Sequence, residues 1–341
     1  MRFTVAALIA LLLSSVVIAQ SKYPALDQEP ACQSLVPAAA GGPLPQNPDV
    51  VVFRFLGVSN YEMAYRDQVV LLDAAIDELA WWQPTGLKPA DMTKHLNAVF
   101  VGHAHGEHVW DAPYLGEHTK ALIVTDPISF RWVRGTGQVP EEQLKQAKGG
   151  ETFTLPGITV KAILAHHNIV PNDYLAKDRA AAAAITLKGP ETKEQQAHDR
   201  RLGGMVPLDA EERAALITEN TIAYFFTFDN GFTLFYTDSG GPTTEAERQS
   251  MFGKKGIDVG LLPYYGLEVA PPITMEYLKM FKPLVMMPTH HDGHRNRMLD
   301  MPIGPLALDT REAGLATKII APLVKSPVCM NTVTKELYVG L

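Results

Sequence analysis

A layered α/β fold is what this sequence predicts, and three observations predict it. Short apolar runs of strand length alternate with segments of helical spacing between residues 50 and 295. No internal repeat is present. Composition is ordinary for a globular chain: of 341 residues, 46% are hydrophobic and 20% charged, which suffices for one large core, and no linker divides it.

The elements follow in order. Met1-Arg2 precedes an apolar stretch from Phe3 to Ala19, which reads as a secretory signal cleaved after Ala19. An uncleaved anchor is the alternative, although the stretch is near the short limit for a membrane span. Residues 20–49 are rich in Pro, Ala and Gly and read as an extended arm. Strands are then expected at Val50–Leu56, Tyr61–Tyr65 and Gln68–Leu72, the last ending at Asp73. Helical spacing covers 89–96, a strand covers 98–101, and a helix is expected from His108 to Leu115. Further strands are Ala121–Val124, Ile158–Leu164, Thr221–Phe228, Phe232–Tyr236, Val259–Leu262 and Leu284–Met287, with a helix at Thr274–Phe281. Residues 171–220 are charged, Ala-rich and punctuated by Gly and Pro, with a helix-like middle. They read as an insertion that either walls a pocket or runs over the surface.

Several function classes are excluded. The net charge is −7, and there is neither a Lys/Arg block nor basic-aromatic alternation, so nucleic acid is not an expected partner. No segment after the signal is long and apolar enough for stable membrane insertion. The two cysteines, Cys32 and Cys329, lie near the ends of the mature chain, and in a secreted or periplasmic protein they are expected to pair. Two unpaired thiols are the alternative. A small-molecule substrate remains as the expected partner; oligomeric state is unreadable.

Chemistry concentrates in the histidines. Eight of the eleven fall in the windows 103–108, 166–167 and 290–294, each following an apolar strand-like run. Asp238 follows another such run. Loops at the ends of neighbouring strands converge, which is what a metal site needs. His103 and His105, two apart, face the same way on an extended backbone and can grip one ion. Glu107 and His108 lie where a turn begins and are aimed differently, which suits a second ion. Imidazole and carboxylate are ligands for zinc, manganese or iron. His95, His118 and His198 stand alone and read as ordinary structural residues.

His103-Ala104-His105-Gly106-Glu107-His108 resembles the His-x-His-x-Asp-His signature of the metallo-β-lactamase fold superfamily. The resemblance extends in the same order along residues 50–295. Phe55-Leu56-Gly57 through Leu71-Leu72-Asp73 resembles the superfamily's opening hairpin and early Asp. Ala165-His166-His167, Tyr236-Thr237-Asp238-Ser239-Gly240 and Met287-Pro288-Thr289-His290 resemble its later motifs. The branch with the ascorbate-phosphate lactonases and the N-acyl-phosphatidylethanolamine phospholipase D enzymes is the most similar.

The resemblance implies a four-layer αββα sandwich over residues 50–341, with the 171–220 segment inserted. It implies one metal on His103, His105 and His167, another on Glu107, His108 and His290, and Asp238 bridging. His166 competes with His167, and His291 with His290. It further implies one or two zinc ions, or manganese or iron, activating a hydroxide against an ester, lactone or amide bond. Asp238 and Glu107 would handle that hydroxide and its protons. His291, with Tyr264, Tyr265, Asp292 and His294, would be near enough to assist the substrate oxyanion or the leaving group. Phosphodiester cleavage is the second reading, hinted at by Arg295 and Arg297, and a non-catalytic binding protein is the third. Trp81, Trp82 and Trp110 read first as core aromatics and second as a pocket lining. Two departures stand out: Glu107 occupies the place of the usual Asp, and Val58 a place where the branch often has His.

Overall fold

The computed structural model describes residues 22–76, 85–167, 221–264, 270–292 and 303–340. The 1–19 signal, the 171–220 insertion, Trp81, Trp82, His198, Tyr265, His294, Arg295 and Arg297 lie outside the described residues.

Strands β1 (Val50–Phe55), β2 (Tyr61–Tyr65) and β3 (Gln68–Leu72) form an antiparallel meander, because turns interrupt one apolar stretch twice. Parallel strands β4 (Ala98–Phe100), β5 (Leu122–Thr125) and β6 (Leu144–Gln146) extend this sheet on one side. Two late strands, Pro327–Asn331 and Leu337–Val339, extend it antiparallel on the other, to eight strands. The second sheet begins with the antiparallel strands β7 (Thr152–Leu155), β8 (Ile158–Ala165), β9 (Thr221–Phe228) and β10 (Thr233–Tyr236). It continues in parallel through β11 (Val259–Pro263), β12 (Val285–Thr289) and β13 (Lys318–Ile319); the two late strands of the first sheet are then β14 and β15.

Residue alternation decides the layering. Val51, Phe53 and Phe55 point inward and meet Tyr224, Phe226 and Phe228 across the sheet–sheet core. Their neighbours Val50 and Val52 point outward into a second core, which includes Leu115 of α3 (Ala112–His118) and Val133 of α4 (Pro127–Thr136). On the far side Phe225 and Phe235 face outward against Tyr277 and Phe281 of α6 (Ala270–Phe281), with Leu306 of α7 (Ile303–Glu312) beside them. The order is helix, sheet, sheet, helix. Each buried Phe contributes roughly 1.5–3 kcal/mol relative to exposure.

Local chemistry explains where helices start and stop. Asp126 caps α4 by accepting from the N–H groups of Ile128 (2.9 Å) and Ser129 (3.2 Å), with Pro127 in the first turn and Gly137 at φ 70 ending it. Thr244 and Glu247 make a reciprocal capping box at α5 (Glu245–Ser250). The helix expected from His108 to Leu115 is instead two short ones, α2 (Gly106–Val109) and α3. Pro113 has no N–H to give the carbonyl four residues back, so one continuous helix cannot form. The helical spacing at 89–96 is realised as a 3₁₀ turn, Pro89–Thr93.

The arm at 22–49 makes short helical turns, including α1 (Pro30–Gln33), rather than running extended. Its backbone is held by buried charges on the sheet face. Arg54 and Glu62, cross-strand partners joined at 2.9 Å, bind Ala31 O and the N–H groups of Ala38 and Ala39. A disulfide joins Cys32 to Cys329 on β14.

Candidate metal centre

Five motif loops leave their strands at the same edge of the sandwich. Asp73 follows β3, His103–His108 follow β4, His166–His167 follow β8, Asp238 follows β10 and His290 follows β12. Ala165 and Thr221 are paired across β8 and β9, so the chain leaves for the 168–220 segment and returns from it beside His167.

His103, His105 and His167 come together as a nearly equilateral triangle of rings. Their centroids are 4.6, 4.7 and 4.7 Å apart. Nδ1 of His105 lies 3.0 Å from Nε2 of His103 and 3.4 Å from Nε2 of His167. His166, the competing residue, turns to the carbonyl of Pro242 at 3.0 Å.

The second half of the site is built around His108. Its ring lies 4.2 Å from that of His103 and 5.2 Å from that of His290. Its Nδ1 is held by Asp73 Oδ2 at 2.6 Å and is 2.7 Å from Ser59 Oγ. A histidine tethered through Nδ1 has only Nε2 left as a ligand atom. Asp238 is fully buried between the halves, with Oδ2 3.0 Å from His103 Nδ1 and 3.9 Å from His108 Nδ1. Neither carboxylate oxygen of Asp238 has an aligned hydrogen-bond partner among the described residues. Glu107 is about a fifth exposed, and its Oε1 lies 3.9 Å from His105 Nδ1.

Burial dominates the electrostatics. It pushes His103, His105 and His108 well below the usual imidazole range, and repulsion among the rings adds to this. Neutral imidazoles present lone pairs, as metal ligands must. Desolvation also raises Asp238 well above the carboxylate range and Glu107 and Asp73 to about 7. A buried carboxylate without a hydrogen-bond partner beside neutral, converging imidazoles is costly unless a cation compensates it. The residues therefore fit a divalent ion.

Other expected residues fall elsewhere. His291 packs on Phe55 with ring centroids 4.5 Å apart, and burial pushes it down to about 4. Asp292 Oδ2 accepts from the N–H of Val58 at 3.0 Å, and Tyr264 is buried in the outer core. Trp110 stacks on Trp132 at 5.9 Å. Three residues beside the site lie outside the expected ligand set, and of them only Asp73 belongs to a motif visible in the sequence. Ser59 and Asp73 hold His108, and Gly102 leaves room for Asp238, since a Cβ at position 102 would overlap that carboxylate. A glycine between an apolar strand and a His-x-His pair was the one available hint of such a close approach.

No protein-family model matches this sequence, and no curated protein sequence matches it. Solved structures do match. Igni18, a metallo hydrolase from the hyperthermophilic archaeon Ignicoccus hospitalis, aligns over 82% of this chain and 98% of its own at 15% identity, with a TM-score of 0.57. An isothiocyanate hydrolase from Delia radicum gut bacteria aligns over 82% of this chain and 99% of its own at 16% identity, with a TM-score of 0.52. Taken with two facing sheets between helical layers and five motif loops at one edge, these likenesses show that the chain shares the layered αββα fold of these two hydrolases.

Proposed function

We propose that this chain is an exported metal-dependent hydrolase that cleaves an ester, lactone or amide bond in a small molecule. The observation that carries the reading is the triangle of His103, His105 and His167 with the bare carboxylate of Asp238 at its side. Zinc suits this nitrogen and oxygen donor set, and manganese or iron could replace it. His103, His105 and His167 would hold one ion, and Glu107, His108 and His290 a second, with Asp238 between them. A divalent cation there supplies a Lewis acid and lowers the pKa of a water ligand from about 16 towards 7.

The remaining work falls to side chains. Asp238, enclosed by protein, would accept a proton from the attacking water and pass it to the leaving group. Glu107, partly exposed, would share that task from the solvent side. Asp73, 2.6 Å from Nδ1 of His108, would keep that ring's proton on Nδ1. His291 would act from behind His290, steadying the loop after β12. Export is supported by the apolar run 3–19 and by the Cys32–Cys329 disulfide, which suits an oxidising compartment.

A substrate panel tests the reading: a lactone, an aryl ester, an amide, an isothiocyanate and bis-nitrophenyl phosphate, assayed before and after chelation. The expected result is turnover of a carbonyl substrate that chelation abolishes and zinc or manganese restores. Asp238→Asn should lower kcat at least ~100-fold, the scale on which a preorganised catalytic group acts. Turnover of the phosphodiester alone would transfer the chain to the phosphodiesterases. No turnover of any substrate by metal-loaded protein would contradict hydrolase function.

A further inference from the structure

The β1–β2 turn, Gly57 to Asn60, supplies no residue to the ligand set proposed above, yet three successive residues of it reach three different loops of the site. Val58 accepts from the N–H of His290 at 2.5 Å and donates its own N–H to Asp292 at 3.0 Å. Ser59 Oγ donates to Asp73 Oδ2 at 2.5 Å and touches Nδ1 of His108 at 2.7 Å. Asn60 donates from Nδ2 to the carbonyl of Glu107 at 3.3 Å and accepts at Oδ1 from the N–H of Ala75 at 2.8 Å. These are the loops that carry Asp73, Glu107, His108 and His290.

Backbone geometry marks the turn as constrained. Val58 sits at φ 57, a left-handed conformation rarely adopted by a β-branched residue. Such strain persists where the surroundings over-determine it. Here both backbone polar groups of Val58 are committed to the loop after β12.

With Asp73 ionised, the protons around Ser59 can be placed by elimination. Asp73 Oδ2, Ser59 Oγ and His108 Nδ1 lie within 2.7 Å of one another. If Nδ1 carries the hydrogen, it and the Ser59 hydroxyl both donate to Asp73, and every contact is attractive. If Nε2 carried it, the Nδ1 lone pair would face a carboxylate oxygen at 2.6 Å. Tyr236, whose hydroxyl donates to the Ser59 carbonyl at 3.4 Å, closes the turn from the opposite sheet.

We infer that the Gly57–Asn60 turn is the positioning element of the second half of the site, and that Ser59, by donating to Asp73, holds that carboxylate on Nδ1 of His108 and so keeps the Nδ1–H tautomer, leaving Nε2 as its only ligand nitrogen. This rests on the metal-site reading above but concerns residues outside the ligand set.

The test uses the full chain labelled with 15N-histidine. Two-bond 1H–15N spectra of the metal-free protein should show His108 as Nδ1–H in the wild type and as a tautomer mixture in Ser59→Ala. Chelator-competition titration with zinc should show Ser59→Ala losing about 10–100-fold in affinity for the second equivalent and nothing for the first, the usual effect of removing a ligand's outer partner. Ser59→Thr, which keeps the hydroxyl, should retain the wild-type spectrum and guards against misreading a folding defect. An Nε2–H wild type, or a Ser59→Ala protein with unchanged spectrum or unchanged second-site affinity, would overturn the inference. A wild type that takes up no zinc would contradict the hydrolase reading alone, while a shifted His108 spectrum in Ser59→Ala would still support the role of the turn.

Discussion

At the residue scale, the candidate site depends as much on what is small as on what could ligate. Gly102 ends the β4 strand run and leaves space for the Asp238 carboxylate. Gly102→Ala would force that carboxylate aside, and a displacement near one ångström costs about 100-fold in a preorganised site. The expected outcome is a folded protein, by circular dichroism, with kcat lowered on that scale. The six-residue His-x-His-x-Glu-His window was legible in the sequence because its residue types have few structural uses in that density. The choice of His167 over His166 was not legible from spacing, since adjacent residues on an extended chain point to opposite sides. Packing sets the two apart: His166 turns to Pro242, and the absence of a side chain on Gly241 lets its backbone approach 166–167. Ser59 was invisible for another reason. A serine in a turn carries no signal until the strands bring Asp73 and His108 to it.

At the element scale, α5 ties the outer helical layer to the Asp238 loop. Glu247, fully buried, accepts from the N–H of Thr244 at 2.6 Å and from the hydroxyl of Tyr277 at 2.9 Å, while Thr244 donates to Leu164 O on β8. Burial pushes its carboxyl from 4.5 up to about 7. The folded chain thus keeps a proton that the unfolded chain releases above pH 4.5, and this group's contribution to stability falls as pH rises towards 7. Glu247→Gln, which keeps an acceptor for Thr244, should remove a loss on the order of 3 kcal/mol across that window. Urea unfolding of both proteins at pH 5 and pH 8 measures it; equal pH slopes would contradict the assignment. Strands β2, β3 and β9 were legible to the residue because each is a run dominated by apolar or aromatic residues and closed by turn residues. Strands β6, β7, β13 and β15 were not, because they are short or half exposed and are defined by their partners rather than by their own pattern, and β14, though buried, follows the last readable motif.

At the scale of the whole molecule, the chain's ends close the first sheet. β14 pairs with β1, and the arm docks on the outer face through Arg54, Glu62 and the Cys32–Cys329 disulfide. This closure lay beyond the stretch in which motifs could be read, which stops near residue 295, so the layered class was legible and the final strands were not. The disulfide spans 297 residues of sequence, and a crosslink of that reach constrains the unfolded chain strongly. A Cys32→Ala, Cys329→Ala double variant should lose roughly 2–5 kcal/mol of stability while keeping the substrate kcat, because the bridge touches no site loop. Chemical denaturation and a rate measured well below the melting point separate the two effects. A stable double variant would show that the buried Arg54–Glu62 pair suffices to hold the arm.

His103, His105 and His167 would form a cation site at the common edge of the two sheets. Zinc stoichiometry by elemental analysis, on the wild type, His167→Ala and His166→Ala purified identically, tests it most directly. At least one tightly bound equivalent is expected in the wild type, retained in His166→Ala and reduced by about one equivalent in His167→Ala, as follows when one of three protein ligands is removed. Retention in His167→Ala with loss in His166→Ala, or less than one equivalent in the wild type after zinc loading, would contradict it.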